Sequence, residues 1–188
     1  MKIGLIVLIV LALAGMMACS KYVSVRNDLV TQREEVTASW STVDVALQRR
    51  ADLIPNLVST VKGFAAHETE VFKNIADARA AMAGARTPAE KIQANDQLSG
   101  ALGRLLVVTE NYPQLRSNEN FLRLQDELAG TENRISIERR KYNEAVRRYN
   151  TSIQLFPNNI VASLGGFTRN DAYFKTEPDA RTAPKVQF

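Results

Sequence analysis

Residues 117–153, SNENFLRLQDELAGTENRISIERRKYNEAVRRYNTSI, decide the fold class of this chain. Phe121, Leu124, Leu128, Thr131, Ile135, Glu138, Tyr142, Ala145, Tyr149 and Ile153 follow one another in steps of three and four. Such steps set side chains along one stripe of an α-helix and predict coiled-coil-like packing against neighbouring helices. Two positions of the stripe, Thr131 and Glu138, are polar, so a buried Glu138 needs a partner. Ser117 or Asn118 can cap the helix at its start, and Phe156-Pro157 stops it.

Working outward, Thr87-Pro88-Ala89-Glu90 reads as a capping box with proline in the first turn. The helix it opens presents Ile92, Leu98, Leu102, Leu105 and Leu106, and Asn111-Tyr112-Pro113 ends it. Upstream, Leu29, Val36, Trp40, Val43 and Leu47 form the seam of a first helix. Between these lies RRADLIPNLVSTVKGFAAHE, residues 49–68. Pro55 lacks an N–H and crowds the preceding turn, so a break is predicted there. Asp52 would cap a second helix whose apolar face runs from Ile54 through Leu57, Val58, Val61, Phe64, Ala65, Val71, Phe72 and Ile75 to a stop near Gly84. The fold class predicted is all-α, an antiparallel four-helix bundle of long helices over residues 28–157. Residues 158–188, polar and carrying Gly165-Gly166, Pro178 and Pro184, read as an extended C-terminal tail.

The N-terminus carries a second signal. Lys2 precedes an uncharged, mostly apolar run, IGLIVLIVLALAGMMACS, before Lys21. Residues 1–18 read as a signal peptide or membrane anchor, and residues 19–27 as a tether. The sole cysteine, Cys19, follows Ala18 and cannot form an intramolecular disulfide. The arrangement resembles a bacterial lipoprotein signal with Cys19 as the lipidated residue. The alternative is an uncleaved single-pass inner-membrane span, for which the run is short but sufficient. Both readings place the body outside the cytoplasm in the cell envelope.

With 24 Lys and Arg against 20 Asp and Glu, the formal net charge of +4 gives little reason to expect a nucleic-acid partner. The densest basic stretch, Arg139, Arg140, Lys141, Arg147 and Arg148, is interrupted by Glu138 at its start and Glu144 within it. It reads first as a solvated helix face. An enzyme reading has little support. His67-Glu68 lacks the second histidine of a zinc helix, since Val71 stands four residues on, and one histidine cannot serve a di-iron bundle. No nucleophile elbow and no phosphate-binding glycine loop occurs. No catalytic residue, cofactor, metal or small-molecule substrate is therefore expected.

Several separated blocks, in order, resemble the LemA family: WSTVDVALQRRADLIPNLVSTVKGFAAHE at 40–68, the stretch at 117–153, then FPNNIVASLGGF and the terminal APKVQF. The resemblance runs from about Tyr22 to the C-terminus. It implies a four-helix bundle behind an N-terminal membrane segment and a membrane-associated, non-enzymatic protein. It also implies an envelope partner of the TPM-domain or membrane-protease-homologue kind, and one relative belongs to the magnetosome membrane-building set. Carried over to this chain, the family pattern puts weight on Trp40, Arg49, Arg50, Asp52, Pro55, Asn56, His67, Glu68, Asn118, Glu119, Glu132, Asn133, Arg139, Tyr142, Asn143, Tyr149 and Asn150.

From these, a partner-binding or structural polar network is expected among Arg49, Arg50, Asp52, Asn56, His67, Glu68, Glu132, Arg139, Asn143 and Asn150. Arg49 and Arg50 can pair with Asp52 or across the bundle with Glu132. Tyr142-Asn143 and Tyr149-Asn150 either set helix register or line a polar groove. The leading functional expectation is a membrane-tethered scaffold that binds a protein partner. Binding of membrane or anionic lipid through the basic stretch is the alternative, and a hydrolase using His67 and Glu68 is a third reading.

Overall fold

The computed structural model describes residues 2–175, and these are helical, with no strand among them. In order come α1 (Lys2–Lys62), α2 (Thr69–Gly84), α3 (Pro88–Thr109), the single turn α4 (Pro113–Arg116), α5 (Glu119–Ser152) and α6 (Asn158–Gly165). The terminal APKVQF block lies outside the described residues. The chain forms two compact units. Among the described residues, one comprises residues 2–39 with Tyr142–Asp171, and the other Trp40–Lys141 with residues 172–175.

The predicted break at Pro55 does not occur: α1 continues through it to Lys62. Val43, Leu47, Ile54, Leu57 and Val61, all buried, keep one phase across the proline, so tertiary packing holds the helix together. Asp52 is consequently a mid-helix residue rather than a cap, and its Oδ1 accepts from Gln48 Nε2 at 2.9 Å. Pro55 cannot donate to the carbonyl of Ala51, four residues earlier. That carbonyl instead accepts from Arg79 Nε of α2 at 3.4 Å. Removing the arginine (Arg79→Ala) is expected to cost about 1 kcal/mol. In a Pro55→Ala background, where the helix supplies its own N–H, the same change should cost almost nothing. Chemical denaturation of the four variants of this cycle measures the difference.

The expected second helix is divided instead. Its first half belongs to α1, and a turn at Gly63–Glu68 precedes α2, with the Ala65 N–H donating to Val61 O at 2.9 Å. Ala65 is buried in this turn, whereas Phe64, expected in the core, is exposed. Leu106 is likewise exposed, at 41%. The core of this unit joins Ile54, Leu57 and Val61 of α1 to Phe72 and Ile75 of α2, Leu98, Leu102 and Leu105 of α3, Leu115 of α4 and Phe121 of α5.

The capping box is present as predicted. Thr87 Oγ1 accepts from the Glu90 N–H at 3.2 Å, and Glu90 Oε2 accepts from the N–H groups of Arg86 at 2.7 Å and Thr87 at 3.1 Å. These backbone donors hold the Glu90 acid below its ordinary value of 4.5. Because the folded-state value is depressed, this contribution is complete above the unfolded value and is lost as pH falls through the folded one. A Glu90→Gln variant should therefore lose less stability than the parent as pH drops below about 4.5, the ordinary value. Thermal unfolding across that range tests the sign.

On α5 the predicted stripe is largely realised: Phe121, Thr131, Ile135, Glu138, Tyr142, Ala145 and Tyr149 are buried, as is Ile153 just after the helix, and Leu124 and Leu128 are half-buried. Asn118 is the capping residue, its Oδ1 accepting from the Phe121 N–H at 3.0 Å. Glu138 has the partner its burial requires, Lys141 Nζ at 3.1 Å. Residues 158–165, expected to be extended, form α6 instead, with Val161 and Ala162 buried. Gly166 closes this helix in the left-handed conformation at φ 69°, a position that suits glycine.

Candidate functional site

Two polar constructions emerge, one in each unit. In the second unit, Arg50 of α1 is 7% exposed and its Nη1 converges on three groups. It donates to Asn95 Oδ1 at 3.0 Å and to Ser99 Oγ at 3.0 Å, both on α3. It also lies 2.9 Å from Glu132 Oε2 on α5. Both Nη1 protons are committed to Asn95 and Ser99, so the Glu132 contact is an ion pair without its own hydrogen bond. Ser99 Oγ in turn donates to the backbone carbonyl of Asn95 at 2.9 Å. Burial lowers the Arg50 pKa, and Glu132 opposes that shift. Through this one nitrogen, Nη1, the guanidinium ties three helices, α1, α3 and α5.

Of the residues expected in a polar network, the structure joins Arg50 to Glu132 and places Arg49, Asp52 and Asn56 on the exposed side of α1. With Asp44, Val45, Gln48, Leu53 and Glu127, Arg49 and Asp52 line an open groove of about 710 Å³. The groove continues past Val45 and Arg49 to Gly130, Thr131 and Arg134 of α5. Lys91 of α3 forms an ion pair with Asp44 at its edge. His67 is exposed in the turn before α2, and Glu68 accepts from Tyr112 OH at 3.2 Å. Burial, and then that contact, push the Tyr112 pKa up. Among the described residues no group of three or more His, Cys, Asp or Glu side chains is placed to hold a metal ion.

In the same unit the chain after Ala172 is clamped by an aromatic. Phe174 is buried, stacked on Trp40 of α1 at 6.2 Å between ring centroids. Arg139 of α5 also lies over the Phe174 ring, Cζ 4.5 Å from the ring centroid, and donates to Lys175 O at 3.4 Å. In the first unit, Asn150 grips Asn170 twice. Its Nδ2 donates to the Asn170 carbonyl at 2.6 Å and its Oδ1 accepts from the Asn170 N–H at 2.9 Å. Tyr149 OH donates to Thr168 O at 2.9 Å. Asn143 is half-buried on α5. The Tyr149-Asn150 pair therefore fastens the C-terminal segment.

Sequence reasoning missed Asn95, Ser99 and Phe174. Asn95 stands in the apolar stripe between Ile92 and Leu98, and a polar residue there is a visible signal of a buried network. Phe174 is a lone aromatic pair with Tyr173 in a polar tail, a weaker signal.

The family model described as "LemA family" matches residues 39–188. The chain belongs to the LemA family. This LemA-family protein is 30% identical over 182 residues to "Magnetosome protein MamQ 2" of Paramagnetospirillum magneticum, covering 83% of this chain and 66% of that relative. It is 28% identical over 182 residues to "Magnetosome protein MamQ" of Magnetospirillum gryphiswaldense, with the same coverage. It is 24% identical over 142 residues to "Protein LemA" of Metamycoplasma hominis, covering 75% of this chain and 65% of that relative. The chain thus spans just under two thirds of the length of these relatives. The family match takes in Trp40, Arg50, Glu132, Arg139, Asn150 and Phe174, residues of the Arg50 junction, the Phe174 clamp and the Asn150–Asn170 pair. It leaves outside the apolar start of α1, the one described helix long and apolar enough to cross a membrane.

Proposed function

We propose that this LemA-family protein is a membrane-tethered, non-enzymatic scaffold of the bacterial cell envelope. Its body, read as a bundle of four long antiparallel helices, binds a protein partner through the α1–α5 groove. The observation that carries this reading is the groove itself. Val45 is 69% exposed at its centre, ringed by Asp44, Asp52, Glu127, Arg49 and Arg134. An apolar centre within a charged rim of both signs is the anatomy of a protein-recognition surface. An envelope protein of the TPM-domain or membrane-protease-homologue kind is the first candidate partner. A photo-crosslinking residue at Val45 in the full-length protein in native membranes should capture one discrete protein, whereas the same residue at exposed Ala76 should not. Equal, diffuse labelling from both positions would refute the groove as the binding face.

The tether is α1, exposed along residues 3–20, with Cys19 exposed at the end of the apolar run. Lipidation of Cys19 is proposed as the mode of anchoring, with the uncleaved span as the other form. Mass spectrometry of the mature N-terminus distinguishes an acylated Cys19 from an intact Met1. The basic stretch offers less for lipid than its composition suggested. Arg139 is engaged with Phe174, Lys141 with Glu138, and Arg148 with Glu35 at 3.2 Å.

A further inference from the structure

The first unit ends in a cluster of large apolar side chains open to solvent. Leu155, Phe156, Ile160 and Leu164 are 57%, 80%, 52% and 73% exposed. Ile160 and Leu164 step by four residues and share a face of α6, with Leu155 and Phe156 in the turn before it, while Val161 and Ala162 of α6 are buried.

The position of this cluster along α1 is defined by contacts within the unit. Glu35 pairs with Arg148, and Gln32, one turn nearer the N-terminus, donates to Ser152 Oγ at 3.2 Å. Helices α1 and α5 therefore run in opposite directions here, and α5 ends heading toward the apolar start of α1. Both ends of α6 return to this level. Asn158 donates to Ser152 Oγ at 3.3 Å, and the Phe167 ring after α6 lies under Arg33, 5.5 Å from Cζ. So α6 closes the end of the unit that faces the apolar run. Nearer the N-terminus, Val25 is the first buried residue of α1. Lys21, which ends the apolar run, is about 6 Å along the helix from Val25 and about 17 Å from Gln32, at about 1.5 Å rise per residue. A headgroup layer extends about 5–8 Å beyond each side of the hydrocarbon core. The end of the unit that α6 closes is therefore the end nearest the apolar run, and the cations Lys21 and Arg26 stand on α1 between the level of α6 and that run.

We propose that the α5–α6 turn and the outer face of α6 rest in the lipid headgroup interface of the membrane that α1 enters. The body would then have a second, non-covalent contact that orients it on the bilayer, as an amphipathic interfacial helix does. This rests on the membrane-tether reading. Lipid is chosen over a protein as the occupant because the cluster belongs to the same unit, and the same end of it, as the membrane helix.

The test uses full-length protein in phosphatidylcholine–phosphatidylglycerol vesicles whose acyl chains are brominated near the headgroup. Leu164→Trp is compared with the parent, whose only tryptophan is Trp40. The added tryptophan is expected to emit to the blue of a water-exposed indole and to lose most of its emission to the bromines. Water-like emission without quenching, in protein that floats with the vesicles, overturns the interfacial contact and leaves the tether intact. Blue-shifted emission without quenching also overturns it, showing that protein covers the face. Failure of the parent to float refutes the tether and this inference together. Circular dichroism of the variant matching the parent confirms that the exposed substitution leaves the fold unchanged.

Discussion

Replacing Arg50 with alanine is expected to destabilise the second unit by about 3–5 kcal/mol, toward the lower figure because Glu132 is half-exposed and water can repair its loss. The larger part of the penalty falls on Asn95. It is 0% exposed, and without Arg50 its Oδ1 keeps no donor. Its Nδ2 already finds no acceptor among the described residues, so the amide would be left wholly unsatisfied. The combination Arg50→Met with Asn95→Leu, which exchanges the polar junction for apolar contacts, should recover much of the loss. Urea denaturation of the parent and the two variants decides the matter. A Arg50→Ala midpoint equal to that of the parent would show that the junction contributes nothing.

The second large effect belongs to Phe174. Truncation to alanine removes a buried ring at a cost of about 3–5 kcal/mol when the site cannot collapse. It also ends the cation–π contact of Arg139, worth about 0.5–2 kcal/mol by itself. Because the ring sits on a terminal segment, the loss should appear as local release rather than global unfolding. The expected result is proteolytic cleavage after Ala172 in a chain whose helix content is unchanged, with a shift in Trp40 emission as its stacking partner leaves. Protection equal to that of the parent would mean that the segment is held by other contacts.

Much of the fold could be read directly from the chain. The α5 stripe, the Asn118 cap and the Thr87–Glu90 box depend on spacings of three or four residues, and such contacts form within one helix turn whatever else surrounds them. Pro55 was misread for the opposite reason. Its local effect is to break a helix, but Ile54, Leu57 and Val61 keep the same apolar phase as Val43 and Leu47, and burial on that side outweighs one missing hydrogen bond. The carbonyl it frees is then taken by Arg79, a partner separated by twenty-eight residues from Ala51. The α6 helix was missed because eight residues are too few to show a period against a glycine-rich end.

The sequence by itself determined that this protein is helical, that it starts with a segment fit to enter a membrane, and which family its motifs match. Each of those conclusions depends on composition or on residues close together in the chain. Tertiary structure alone decided what the marked polar residues do. Arg50 reaches across to Asn95, Ser99 and Glu132, while adjacent Arg49 faces an open groove, and one residue of helical rotation, about 100°, separates the two fates. Trp40 and Arg139 hold Phe174, and Asn150 holds Asn170, through contacts whose partners come together only when separate helices pack. No spacing rule encodes such pairs, because their geometry is set by the core that the helices share.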